Sequence, residues 1–221
     1  MTRKSSAILL TIYERLFEAF GPQKWWPART REEMIIGAIL AQNTAWSNVE
    51  RAIGRLRQAN RLTLSRIDRT PAARLAELVR SSGTHRIKAE RLKSFAAWLR
   101  DRFDGNLDAL FARGVEQARR ELLSVKGVGP ETADVILLYA GGLATFVVDA
   151  YTQRILRRHL IVPPACTYDH TKQVCERALP TDQQLYNEYH ALLVELGKQY
   201  CRPQARCAGC PLASLSHDAG A

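Results

Sequence analysis

Apolar residues recur along this chain with the three-to-four-residue spacing of a helix face, and strand-like alternation persists nowhere for long. The first run covers residues 5–20, with Ile8, Leu9, Ile12, Leu16 and Phe20 near one face and Gly21-Pro22 ending it. Lys24-Trp25-Trp26-Pro27 then reads as a loop, and residues 31–41 as an apolar helix. Gln42-Asn43-Thr44 breaks that helix, and Thr44 is placed to cap another running to about Gln58. Ile67–Arg69 and Pro71 mark a boundary, and Ala72–Arg80 is a short helix closed by Ser81-Ser82-Gly83. Residues 86–102 form a long basic helix with Ile87, Leu92, Phe95, Trp98 and Leu99 inward. A short helix at Leu107–Phe111 and one more lead to residue 122, and further helices fall at 168–179 and 182–197. The tail from Cys201 reads as loop, and the fold class expected is all-α.

The densest information lies in Leu122–Tyr139, LLSVKGVGPETADVILLY. Gly127 and Gly129 bracket Val128, so the chain can turn tightly there. Pro130 suits a first helical position, where no N–H is required, and Ala133 to Leu138 supply an apolar helix. Amides turned outward at such a hairpin suit a phosphate, with Lys126 adding charge beside them. Taken alone, the same residues make an ordinary helical corner.

Charge sharpens this picture. The 221 residues carry 32 Lys and Arg against 22 Asp and Glu, a net +10, which points to a polyanion partner, with a membrane surface or plain solubility as competing explanations. The apolar run Ile8–Ile12 is too short for a signal peptide, and no stretch is long enough to span a bilayer. Five unevenly spaced cysteines make a secreted disulfide framework an unattractive reading, so a cytoplasmic location is expected.

After the hairpin come Gly141-Gly142 and TFVVDAYTQRIL, which place Asp149 at a helix N-cap behind Val147 and Val148. Hairpin, glycine-rich loop and V-V-D, in that order, resemble the helix-hairpin-helix (HhH-GPD) DNA glycosylase superfamily founded on endonuclease III. W-W-P, A-I-L-x-Q-N-T, G-x-G-x-E-T-A-D, Ser82-Gly83 with Lys88-Ala89 and Arg91-Leu92, and Gln184-Leu185-Tyr186 with His190 make it similar in particular to the bacterial 3-methyladenine DNA glycosylase branch. The resemblance covers most of residues 22–200. It implies a two-lobed fold with a DNA-binding cleft between lobes: a six-helix lobe over about 22–135, a second lobe from 1–21 plus 136–200, and an iron–sulfur-like loop at 201–217.

By the same resemblance Asp149 is the catalytic carboxylate, which stabilises the cationic sugar formed as an N-glycosidic bond breaks. As an N-cap alone it would contribute only about 1 kcal/mol of stability. Family members that also cut the backbone carry a lysine two residues after the second hairpin glycine. This chain has Glu131 there, which cannot form an imine, so an enzyme without lyase activity is expected. Trp25, Trp26 and Trp46, with Glu131, match the positions around the family's base site, where a cationic methylated purine gains from aromatic faces. Gln42 resembles the family's wedge and equally fits a helix-end glutamine; Gly127, Val128, Gly129 and Lys126 match the phosphate-binding hairpin. Lys88, Arg86 and Arg91 fit phosphate contacts or a solvated helix face.

Endonuclease III relatives often hold a [4Fe–4S] cluster on C-x6-C-x2-C-x5-C. Here Cys201, Cys207 and Cys210 give C-x5-C-x2-C, with Ser216 then His217 where the fourth cysteine would stand. A cluster completed by Ser216, His217 or an outside ligand, a relic without metal, and zinc held by three cysteines and His217 all remain open. Catalysis requires none of them, and Cys166 and Cys175 read as packing residues.

The function implied is excision of alkylated purines from duplex DNA by a nucleoid-associated monomer. Mismatched thymine or uracil, an oxidised pyrimidine, a bifunctional lyase and a damage binder without turnover are the alternatives.

Overall fold

The computed structural model describes residues 3–220, with side chains from residue 7 onward. Twelve α-helices follow in order among the described residues: α1 (Arg3–Phe20), α2 (Arg31–Ala41), α3 (Trp46–Gln58), α4 (Leu64–Arg69), α5 (Ala72–Leu78), α6 (His85–Phe103), α7 (Leu107–Phe111), α8 (Gly114–Leu123), α9 (Pro130–Val135), α10 (Ala150–Arg158), α11 (Tyr168–Ala178) and α12 (Gln183–Gln199). A 3₁₀ turn at Arg80–Ser82 follows α5, and a π segment at Ile136–Ala140 continues α9. No described residue is in a strand, and no helix is long and apolar enough to cross a membrane. The protein is all-α.

Two compact units divide the chain, Trp26–Leu143 and Met1–Trp25 with Ala144–Ala221. The first division falls a few residues beyond the 22 read from sequence. The second falls at 143 rather than 135, because the helix after the hairpin runs on through the π segment before the chain leaves the unit.

In Trp26–Leu143, α2 is the central helix. Thr30 caps it, its hydroxyl accepting from the Glu33 amide at 3.1 Å. From Met34 to Leu40 every residue is buried, as a helix covered on all sides requires; α3, α6 and the π segment pack around it. The N-cap of α3 is Ala45, not Thr44, whose hydroxyl instead accepts from Asn48 Nδ2 at 3.0 Å. Leu64–Arg69 is a helix that the sequence pattern did not show, capped by Thr63.

The inward face of α6 is Lys88, Ala89, Leu92, Phe95, Ala96, Leu99 and Phe103. Ile87, expected inside, is 48% exposed because Lys88 holds the neighbouring inward position. Lys88 is 1% exposed, and its ammonium donates to Leu40 O at 2.8 Å and to Ser82 O. It is an internal cross-tie between α2 and the 3₁₀ turn rather than a phosphate contact. Burial, and Arg91 after it, push its amine from 10.5 down to about 8.

In the other unit, α1 buries Leu9, Ile12 and Leu16 against α11 and α12, and the Tyr189 hydroxyl donates to Leu9 O at 2.8 Å. Phe146 stacks edge-on against Tyr186 and Tyr189, at 5.4 and 5.8 Å between centroids. Gly197 lets α12 approach α10 closely: a Cβ there would stand 2.2 Å from Tyr151 Cδ1. Thr167 and Asp182 cap α11 and α12. The loop after α12 is fastened by buried Arg158, which donates to Arg202 O at 2.6 Å and Pro203 O at 2.7 Å.

Candidate active site

Asp149 caps α10. Its Oδ1 accepts from the Thr152 amide at 2.7 Å, and its Oδ2 lies 3.7 Å from His190 Nε2 on α12. Its side chain is 13% exposed. Burial alone would push the carboxyl up; His190 and the Thr152 amide outweigh burial and hold it below its ordinary value. The result is a charged acceptor with one oxygen fixed by the fold and the other beside an imidazole.

The hairpin between α8 and α9 belongs to the other unit. Gly127 adopts φ +90°, and a Cβ there would meet Arg91 Cγ at 2.4 Å, so the turn needs glycine both for its conformation and for the side chain lying across it. Gly129 is the N-cap of α9, with open space where its Cβ would be, and Pro130 is the first helical residue. The Val128 amide donates to Val125 O at 3.0 Å and its side chain is buried, so Val128 shapes the turn and presents no outward N–H. Lys126 and Glu131 are exposed on either side.

Gln42 reaches the hairpin from the end of α2. Its Nε2 donates to Gly127 O at 3.0 Å and Thr132 Oγ1 at 2.9 Å, while its Oε1 accepts from Arg91 Nη1. Behind the hairpin, Asp134 is fully buried and takes both Arg119 nitrogens, with Nε to Oδ1 at 3.0 Å and Nη2 to Oδ2 at 3.2 Å. Removing one partner of such a pair typically costs about 3–5 kcal/mol, so it pins α9 to α8.

Trp26 stands edge-on to Trp46 at 4.9 Å between centroids and tilts against Tyr139 at 5.6 Å. Gly37 makes room for the indole, since a Cβ there would already touch Trp26 Nε1 at 3.5 Å. Tyr139 is brought round by the π segment, whose widened turn is closed by the Gly141 amide donating to Ile136 O at 3.0 Å. Trp26 and Trp46 form a wall of a cavity of about 280 Å³, also lined by Glu33, Glu50, Arg29 and Arg57, with Arg57 paired to Glu33 at 2.6 Å. Trp25 lies in the other unit, with Lys198 Nζ 5.7 Å from its ring centroid.

In the C-terminal loop, Cys201, Cys207, Cys210 and His217 line one cavity with Arg158 and Arg206. Among the described residues, no three His, Cys, Asp or Glu side chains form a group that could hold a metal ion as they stand. Burial, with Cys207 and Cys201 adding to it, raises the Cys210 thiol, while the amides of Leu212 and Ala213 favour its thiolate. His217 Nδ1 lies 2.8 Å from Leu215 O, a contact that makes Nδ1 the protonated nitrogen.

Residues 36–181 match the model of the HhH-GPD superfamily base excision DNA repair proteins. The chain belongs to the HhH-GPD superfamily. As a member it is a base excision DNA repair protein whose partner is DNA. It is similar to a candidate DNA repair glycosylase of Methanocaldococcus jannaschii, 42% identical over 96% of this chain and 97% of that one. Among solved structures it is similar to H. pylori 3-methyladenine DNA glycosylase (MagIII) bound to 1,N6-ethenoadenine, with 28% identity, a TM-score of 0.73, and coverage of 88% of this chain and 97% of that one. An endonuclease III in a non-covalent complex with DNA shares the fold, with a TM-score of 0.83 at 22% identity over 99% of this chain and 97% of that one.

The HhH-GPD signature residues therefore fall into three built features: a capped carboxylate, a cross-tied hairpin and a tryptophan-walled cavity. Sequence reasoning missed Tyr139, the Arg119–Asp134 pair and the role of Thr132. All but Arg119 lay inside the motif already noted, their chemistry masked by apolar neighbours.

The two hairpin glycines should respond differently to alanine. Gly127→Ala is expected to lower stability by about 2 kcal/mol or more, from the left-handed backbone and the displaced Arg91. Gly129→Ala should stay within about 1 kcal/mol of the parent. Urea denaturation of the two variants checks this, and equal losses would mean that neither the left-handed backbone nor the Arg91 packing at Gly127 contributes.

Proposed function

We propose that this protein is a DNA glycosylase that hydrolyses the N-glycosidic bond of alkylated purines, of the 3-methyladenine type, without cutting the backbone. The observation that carries the reading is Asp149: a carboxylate held charged in a partly desolvated place, with one oxygen fixed by the Thr152 amide. Positive charge on the sugar as the bond breaks is stabilised by such a group, which also orients the attacking water.

Absence of lyase chemistry is supported by the amines. Position 131 holds an exposed glutamate. Lys88, whose amine is pushed down to about 8, is sealed in the core on two carbonyls and is no nucleophile for a sugar. The alkylpurine preference is supported by Trp26 and Trp46 in the cavity wall, since an indole face attracts a cationic base by about 0.5–2 kcal/mol. MagIII, similar over most of this chain, is itself a 3-methyladenine glycosylase. In this reading the Gly127 and Gly129 amides and Lys126 take a DNA phosphate, and Gln42 and Arg91 hold the hairpin in shape for it.

In this reading the tail's three thiols and one imidazole, Cys201, Cys207, Cys210 and His217, are of the chemistry an iron–sulfur cluster takes and line one cavity, and a cluster would have to draw them into the ligand group that they do not form as they stand. The cluster would tie the tail together, and no step of base release runs through it.

Incubation with duplex DNA treated with a methylating agent should release 3-methyladenine, and Asp149→Asn should reduce that rate at least about a hundredfold. Release of uracil or thymine from mismatched duplexes with no release of methylated purines would overturn the substrate assignment. Borohydride added during turnover on an abasic duplex should trap no covalent adduct; an adduct would reverse the monofunctional reading. Protein purified without air should carry about four irons and visible charge-transfer absorbance that His217→Ala diminishes. Zinc in place of iron, or neither metal, would refute the cluster.

A further inference from the structure

The surroundings of Asp149 contain more than its cap. The extended segment 144–149 is held from α11, where Glu176 Oε1 accepts from the Phe146 amide at 2.9 Å and the Tyr168 hydroxyl accepts from the Val148 amide at 3.4 Å. These bonds fix where the carboxylate starts. The Thr152 amide then fixes Oδ1. Oδ2 faces α12, and the group there is His190, 4% exposed. His190 and Gly197 are seven residues apart and share one face of α12, and it is Gly197 that lets this face close on α10 over Tyr151. The close approach of two helices, bought by one glycine, thus delivers an imidazole to the carboxylate.

An apolar side chain would fill that space as well and would leave only Thr152 to oppose burial, which favours the uncharged acid. Apart from the Thr152 amide, His190 is the group that offsets it. At 3.7 Å the imidazole lies just beyond hydrogen-bond range of Oδ2; such contacts often shorten only as reaction charge develops.

We propose that His190 is a positioning residue for Asp149, holding Oδ2 as the Thr152 amide holds Oδ1, so that the carboxylate is presented in one orientation to a developing sugar cation. The inference rests on the reading of Asp149 given above. In this role His190 acts through Asp149.

The test compares affinity for two duplexes, one carrying a cationic pyrrolidine analogue of the abasic sugar and the other the neutral tetrahydrofuran analogue. The ratio reports the field of the carboxylate, and a purely structural defect would weaken both alike. The parent protein should prefer the cation, and Asp149→Asn should abolish that preference. His190→Leu and His190→Met, which fill the space without a donor, should each reduce the ratio about tenfold with the neutral duplex bound as before. His190→Gln, which restores an N–H, should recover most of it. A ratio lost in Asp149→Asn but intact in the Leu or Met variant would overturn the role of His190 alone, as would a parallel loss of both affinities. A preference that survives Asp149→Asn would instead overturn the reading of Asp149.

Discussion

The 2.7 Å bond from the Thr152 amide to Asp149 Oδ1 is where the fold and the proposed chemistry of this protein depend on one another. As a cap it contributes only about 1 kcal/mol. Its larger consequence is geometric, because a capping carboxylate has one oxygen directed along the helix start and cannot rotate freely. The capped position is in turn immobilised by the extended segment before it, whose amides are taken by Glu176 and Tyr168. A weak interaction can therefore specify a site when everything around it is already determined.

The hairpin obeys the same logic with different groups. Gly127 turns through a conformation that other residues resist, and three side chains keep it there: Arg91 across the glycine, Gln42 on its carbonyl and Thr132 on the Gln42 amide. Beneath them, the Arg119–Asp134 pair locks α8 to α9. The backbone bond that closes the turn is the Val128 amide on Val125 O, and the rest of the turn's stiffness comes from these polar side chains. That division explains why Gln42 is fully engaged here, with both its donor and its acceptor on hairpin neighbours.

Much of the helical framework was legible because its periodicity is strong: α2, α6, α11 and α12 lie where the apolar spacing placed them, and the Asp149 cap was readable from an acid directly before a helical run. What escaped has physical causes. Leu64–Arg69 has two inward residues in six, too few for a period to declare itself. Thr44 has the right side chain for a cap, but the chain enters α3 one residue later and the hydroxyl serves Asn48. Tyr139 meets Trp26 because a π turn rotates the end of its helix, and no spacing rule anticipates an inserted residue. In the sequence His190 figures only among the fragments that carry the resemblance; the close packing at Gly197 shows what it faces.

The charge of the chain needs the same correction. A net +10 points toward a polyanion, yet several of these cations are bound internally. Lys88 ties two carbonyls in the core, Arg119 is held by a buried aspartate, Arg158 fastens the C-terminal loop, and Arg91 is engaged by Gln42. A guanidinium or ammonium that caps carbonyls loses its freedom to follow a phosphate, and its field is partly cancelled by the dipoles it satisfies. Long basic side chains are well suited to such ties because their stems pack as hydrocarbon while their heads meet oxygen. The sign of the charge in the sequence thus indicates the class of partner, but which cations meet that partner depends on which the fold has left exposed, and near the hairpin that description fits Lys126 rather than the more buried Lys88.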